Sequence, residues 1–357
     1  MAKGAAAMMD RRRLLAGAAA LAGTATFAAA AHAEVLRVNG TFGLRATADG
    51  LADIQFEEEG GGEINPALAW HMGSNTKAMT ALLYAALVEQ GACGWGASLS
   101  ELFPAIPIHP QLAEATVEEL MAHAAGLTDQ GIAGTWLMAR HMDRSSPAEQ
   151  RRAFAREWLG RPPTTARGTF AYANANYIVL GAAIEQATGV SWEEAMRQSI
   201  FAPLGLSSAS FGAPLQEKLW GRQTFGAAGA PVNPAGLADN PPVFGPAGTV
   251  HMTPADYARF LSLYLRGGSP LLEPASLTRL LRPPRPELNY AGGWGLAGDG
   301  ADENRLLMHD GSNTMWYVRA VVNRVGGRAY AAGTNRGGQA GLEAAASMIA
   351  MLRAENV

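Results

Sequence analysis

The chain has 357 residues, 48% apolar and 17% charged, enough to build a large core in one large or two interlocked domains. A net charge of −3 gives no basic footprint for nucleic acid, and the single cysteine, Cys93, excludes an intrachain disulfide. The seven histidines lack the close His/Cys spacing of a zinc site, so no metal and no cofactor is expected.

At the N-terminus, Arg11-Arg12-Arg13-Leu14-Leu15 is a twin-arginine pattern, followed by an Ala-rich run to Ala30 and a small-x-small site at Ala31-His32-Ala33. This predicts an export signal over residues 1–33, cleaved to leave Glu34, and a periplasmic or secreted mature protein with no stable membrane span. Short strands are expected at Val35–Val38 and Leu51–Phe56, with a turn at Gly60-Gly61-Gly62.

The next segment, Gly73-Ser74-Asn75-Thr76-Lys77, opens a helix that carries no charge between Lys77 and Glu89 and stops at Gly91. Such a helix is apolar on nearly every face and belongs in a core. Ser74 and Lys77, three apart, share one face. A lysine there is costly to keep charged, and the helix dipole disfavours its charge further. It is inclined to take the Ser74 proton, arming the hydroxyl to attack a carbonyl, as in the S-x-x-K pattern. Only Lys3, Lys77 and Lys218 are lysines among 28 basic residues, and arginine cannot serve as that base. The same tetrapeptide also fits a serine-capped core helix whose lysine reaches the surface.

From residue 96 capped helices dominate. Thr116 with Glu119 predicts a helix running to Gly126, and Ser146-Pro147 with Glu149 one ending near Gly160. Ser191 with Glu194 starts a third before Pro203, and Thr253-Pro254 with Asp256 a fourth before Gly267-Gly268. Between them, residues 212–249 read as long loops suited to roofing a cleft. Tyr172-Ala173-Asn174 precedes an apolar helix from Ile178 to Ala187. It offers a phenol that can shuttle a proton and an amide that can hold both lysine and substrate, or can simply pack and cap.

Strand character returns at Arg305–His309, Met315–Asn323 and Arg328–Thr334, closed by a helix from Gln339 to Arg353. One sheet completed by both ends of the chain is expected. At the end of its first late strand stands His309-Asp310-Gly311-Ser312. Gly311 lets substrate lie against the strand, and the Ser312 N–H can pair with that of Ser74 as an oxyanion hole. Gly293-Trp294-Gly295-Leu296-Ala297-Gly298 fits G-x-G-x-x-G but opens no helix, so a dinucleotide site is rejected.

With S-x-x-K, Y-x-N and H-x-G in that order, the chain resembles the serine β-lactamase-like family, the branch of class C β-lactamases, D-alanyl-D-alanine carboxypeptidases and family VIII esterases. Thr116 to Leu127, Pro203-Leu204-Gly205-Leu206 and Gly245 to Val250 extend the resemblance. It implies an α/β fold, an antiparallel sheet flanked by helices with an inserted all-α domain. Residues 34–95 plus 285–357 would form the α/β sandwich domain and 96–284 a mostly helical insert with long loops. By resemblance, Ser74 is the acylated nucleophile, Lys77 and Tyr172 share proton transfer, Asn174 orients substrate, and His309, Gly311 and Ser312 bind it. His309-Asp310-Gly311 departs from the Lys-Thr-Gly of class C β-lactamases. Asp310 would repel a substrate carboxylate unless it pairs with an arginine such as Arg319. The expected function is therefore an exported serine hydrolase of small-molecule or peptide esters or amides, carboxypeptidase- or esterase-like more than β-lactamase. The alternative is a catalytically silent penicillin- or peptide-binding sensor.

Overall fold

Phe42, Leu44 and Ala46 alternate along β1 (Gly40–Thr47) and are fully buried, which fixes one face of the strand against the core. A computed structural model describes residues 39–59, 61–224, 229–298 and 304–354. The export signal and the strand expected at Val35–Val38 lie outside the described residues. β1 pairs with β2 (Gly50–Glu58) and, from the far end of the chain, with β10 (Arg328–Thr334). Further strands are β3 (Trp70–His71), β4 (Ser210–Phe211), β5 (Val250–Met252), β6 (Tyr290–Ala291), β7 (Trp294–Ala297), β8 (Leu306–Ser312) and β9 (Tyr317–Asn323). The main sheet runs β2-β1-β10-β9-β8-β7-β6 with every pair antiparallel, so both chain ends complete it as expected. A second sheet, β3-β5-β4, holds the chain just ahead of Ser74.

Alternation along β8 to β10 assigns two different faces. Tyr317, Val321, Tyr330 and Ala332 pack on Ala345, Met348 and Leu352 of the C-terminal helix Gly338–Ala354. Val318, Ala320, Val322, Ala329 and Ala331 face the large core, which contains the helix Thr76–Glu89. Twelve of that helix's fourteen residues are buried. Each large apolar side chain so buried contributes roughly 1.5–3 kcal/mol.

The structure adjusts two expectations. The helix after Thr116 keeps its capping box but spans only Val117–Met121, because the chain turns at His123, whose φ is 55°. The helix Pro254–Leu265, expected in the helical insert, packs on β1, β2 and β10, so this segment lies against the main sheet. The G-x-G-x-x-G stretch forms β7 and its turns, and Gly293 (φ 82°) approaches so closely that a Cβ would sit 2.4 Å from Ala78 Cα. Among the described residues no helix is long and apolar enough to cross a membrane.

Candidate active site

Two glycines bring the nucleophile turn against β8. Gly73 opens the short turn Gly73–Asn75 at φ 51°, and a Cβ on it would lie 2.3 Å from the Ser312 nitrogen. A Cβ on Gly311 would lie 2.0 Å from the Met72 carbonyl oxygen. Backbone therefore touches backbone, at a distance no side chain allows. The buried Asn75 amide rivets the contact, donating to Met72 O at 3.2 Å and to Val318 O on β9 at 3.0 Å.

Beyond this turn Lys77 is fully buried, yet its Nζ has three partners: Ser74 Oγ at 3.0 Å, Asn174 Oδ1 at 2.9 Å and Ala247 O at 2.7 Å. These bonds answer the desolvation cost that an ammonium would otherwise meet in a core. Asn174 is the first residue of the helix Asn174–Thr188. Its amide can point only one way, because Nδ2 donates to Asp129 Oδ2 at 2.9 Å and a carboxylate only accepts. Asp129 also takes the Asn174 and Ala175 N–H groups, at 3.1 and 2.9 Å, and so caps the helix from a different segment.

Tyr172, 45% exposed, meets Lys77 through its ring, with Nζ 5.0 Å from the centroid. Among the described residues no hydrogen bond joins its hydroxyl to Lys77 or Ser74. Behind it the buried His123 ring lies 4.4 Å away, and His123 Nδ1 accepts the Ala173 N–H at 3.3 Å. Burial, and next the charge of Lys77, hold the His123 imidazole well below its ordinary pKa, so it is neutral.

The opposite wall comes from β8. Strand alternation points His309 toward the nucleophile side and Asp310 toward the face that carries Arg319 and Tyr317. His309 Nε2 lies 2.8 Å from Tyr290 Oη, while its Nδ1 is buried without a partner. Burial, then the charge of Lys77, lower the His309 pKa to about 3, so this ring too is neutral. Asp310 and Arg319 are cross-strand neighbours joined by two bonds, Nε to Oδ1 at 2.6 Å and Nη2 to Oδ2 at 2.7 Å. Burial raises the Asp310 pKa, but the Arg319 bonds and neighbouring Tyr317 outweigh it and hold the carboxyl below its ordinary value. The anticipated repulsion of a substrate carboxylate is therefore largely quenched by a partner within the sheet.

These groups surround a cavity of about 430 Å³ reaching from Ser74 and Tyr172 to Asp310, Ser312 and Arg319. Ser74, Lys77, Tyr172, Asn174, His309, Gly311 and Ser312 are thus brought to one place from three separate segments. Asp129 and Tyr290 are absent from the sequence expectations, and neither has a local signal. Asp129 caps a helix that starts forty-five residues later, and Tyr290 reaches His309 through strand pairing. Among the described residues no three His, Cys, Asp or Glu side chains converge as metal ligands.

A family model described as Beta-lactamase matches residues 5–353. Penicillin-binding protein 4 of Amycolatopsis lactamdurans is 30% identical over 207 residues, 55% of this chain and 50% of that protein. The chain spans about half the length of the curated relatives it matches. Among solved structures, the penicillin binding protein from Bacillus halodurans has a TM-score of 0.69 at 18% identity, covering 88% of this chain and 95% of that one. The D-stereospecific amidohydrolase from a Streptomyces species has a TM-score of 0.65 at 22% identity, covering 86% and 92%.

Proposed function

The chain belongs to the beta-lactamase family, and within it we propose an exported serine hydrolase that acts on neutral esters or amides through an acyl-enzyme on Ser74. The observation that carries this reading is the coordination of Lys77 Nζ. Asn174 Oδ1 and Ala247 O can only accept, so they fix two N–H bonds. The third tetrahedral position faces Ser74 Oγ at 3.0 Å. In the free amine that position holds a lone pair, aimed at the Ser74 proton.

As Oγ bonds to the substrate carbonyl carbon, its proton passes to Nζ, and the carbonyl oxygen becomes an oxyanion facing the Ser74 and Ser312 N–H groups. Collapse expels the alkoxide or amine, which takes the proton from Lys77, with Tyr172 at the cleft mouth to relay it. Water then attacks the acyl carbon, gives its proton to the same base, and releases the acid and Ser74. His309 and Tyr290 shape the acyl side of the pocket as neutral groups, and the closed Asp310–Arg319 pair favours substrates without a free carboxylate there. The expected export signal at residues 1–33, read from its twin-arginine pattern, would deliver the enzyme across the membrane. Turnover of 4-nitrophenyl esters, amino acid amides and a chromogenic cephalosporin tests the reading. Ester or amide hydrolysis that vanishes in Ser74→Ala supports it. Efficient cephalosporin turnover with no ester or amide activity would overturn the substrate class.

A further inference from the structure

We infer that His71 and Asp239 are positioning residues that set the gap between the two oxyanion N–H groups. The inference rests on the proposed roles of Ser74 and Ser312. His71, on β3, is fully buried, and its Nδ1 accepts the Gly73 N–H at 3.1 Å. Because Nδ1 accepts there, the ring proton sits on Nε2, and Nε2 lies 2.8 Å from Asp239 Oδ1. The Asp239 side chain is only 8% exposed.

That same Oδ1 also receives Asn313 Nδ2 at 3.1 Å. Asn313 follows Ser312 directly and is itself buried, its Oδ1 accepting the Met315 and Trp316 N–H groups at 3.2 and 3.1 Å. One carboxylate oxygen thus ties the residue before the first oxyanion donor to the residue after the second. Neither His71 nor Asp239 lines the cavity around Ser74, so both act through the backbone they hold. Next in sequence, Asn240 donates from Nδ2 to Gly248 O at 3.2 Å, and Ala247 beside it carries the carbonyl that holds Lys77. The device therefore links all three moving parts of the reaction: nucleophile turn, oxyanion strand and base.

An oxyanion hole works by pre-set geometry, so a shift of a few tenths of an ångström is felt in the transition state and scarcely in substrate binding. The four variants His71→Asn, His71→Gln, Asp239→Asn and Asp239→Leu separate the contacts. Asn at 71 keeps an acceptor for the Gly73 N–H but loses the reach to Asp239, whereas Gln keeps the reach and loses the acceptor. Asn at 239 keeps an oxygen for His71 and Asn313, and Leu keeps nothing. Kinetics on a 4-nitrophenyl ester, phenylboronic acid inhibition and melting temperature are measured on the purified full chain.

The expected result is a fall of roughly 10- to 100-fold in kcat for Asp239→Leu and His71→Gln with KM within about threefold. Phenylboronic acid, whose tetrahedral adduct also fills the hole, should weaken by a similar factor. Asp239→Asn should recover most of the activity. Variants that melt lower yet keep kcat and boronate affinity would reduce the pair to a structural brace and overturn the inference, while leaving the Ser74 assignment standing. Should Asp239→Leu fail to fold, His71→Gln and His71→Asn decide the same question. Ester turnover that is absent from the wild type, or that survives in Ser74→Ala, overturns the nucleophile assignment and this inference with it.

Discussion

On the cleft wall built by the helix Thr76–Glu89, all three bonding positions of Lys77 Nζ are taken, and Asn174 is fixed in turn by Asp129. On the wall built by β8, His309 Nδ1 is buried with no partner, and the charged pair Asp310–Arg319 opens onto the cavity. The difference separates two jobs. A proton moves reproducibly only between groups that cannot rotate away, so the first wall is saturated by its own fold. A wall that selects a ligand must keep something for the ligand to satisfy, so the second is left incomplete.

If that division holds, removing the polar group at 77 should destroy chemistry and spare the fold. Lys77→Met, similar in length and apolar, is expected to lower kcat/KM by at least about 10³-fold with a melting temperature unchanged or raised, since a buried amine is replaced by a hydrocarbon-like chain. A large drop in melting temperature would mean that Lys77 serves the core. One step out, Asp129→Ala frees the Asn174 amide and uncaps its helix. The expected loss is roughly 10- to 100-fold in kcat together with about 1–2 kcal/mol of stability by urea unfolding. Equal activity in the variant would show that Asn174 needs no external orientation.

Much of the first wall was legible because its signals are local. S-x-x-K stands in a charge-free helix, and the Thr116/Glu119 and Ser146/Glu149 capping boxes mark neighbouring helices. The second wall was legible only in part. His309 to Ser312 read as a strand end, but β6 and β7 are absent from the expected strands, since the stretch Gly293 to Gly298, which holds β7, reads as a G-x-G-x-x-G pattern. β1 is absent from the expected strands; at its Gly43 a Cβ would sit 2.4 Å from Met348 Cγ, so the strand needs the gap, and that need arises only from a contact three hundred residues away. Contacts such as Asp129 to Asn174 and His71 to Asp239 join distant segments, and no periodicity or cap encodes them.

The β8 wall yields smaller effects, in selectivity and in pH. Asp310→Thr leaves Arg319 unpaired and facing the cavity. It should raise kcat/KM for a carboxylate-bearing ester about tenfold relative to its neutral analogue. An unchanged ratio would remove the Asp310–Arg319 pair from the selectivity account. His309 has its folded-state pKa lowered to about 3 from 6.5, so below pH 6.5 the unfolded chain binds a proton that the folded one refuses. Its contribution to stability is therefore complete above pH 6.5 and lost as pH falls toward 3. His309→Gln should flatten the stability curve by up to about 1.4 kcal/mol per pH unit across that window, measured by urea unfolding between pH 4 and 7. A curve parallel to the wild type would show that His309 takes its proton without cost.

The central claim is covalent chemistry at Ser74, and intact-mass spectrometry of the wild-type chain, acid-quenched within milliseconds of mixing with a 4-nitrophenyl ester, tests it most directly. The account predicts a mass increase equal to one acyl group, mapped by peptide digestion to Ser74 and absent from Ser74→Ala. An acyl group mapped to another residue, or ester turnover undiminished in Ser74→Ala, would contradict it.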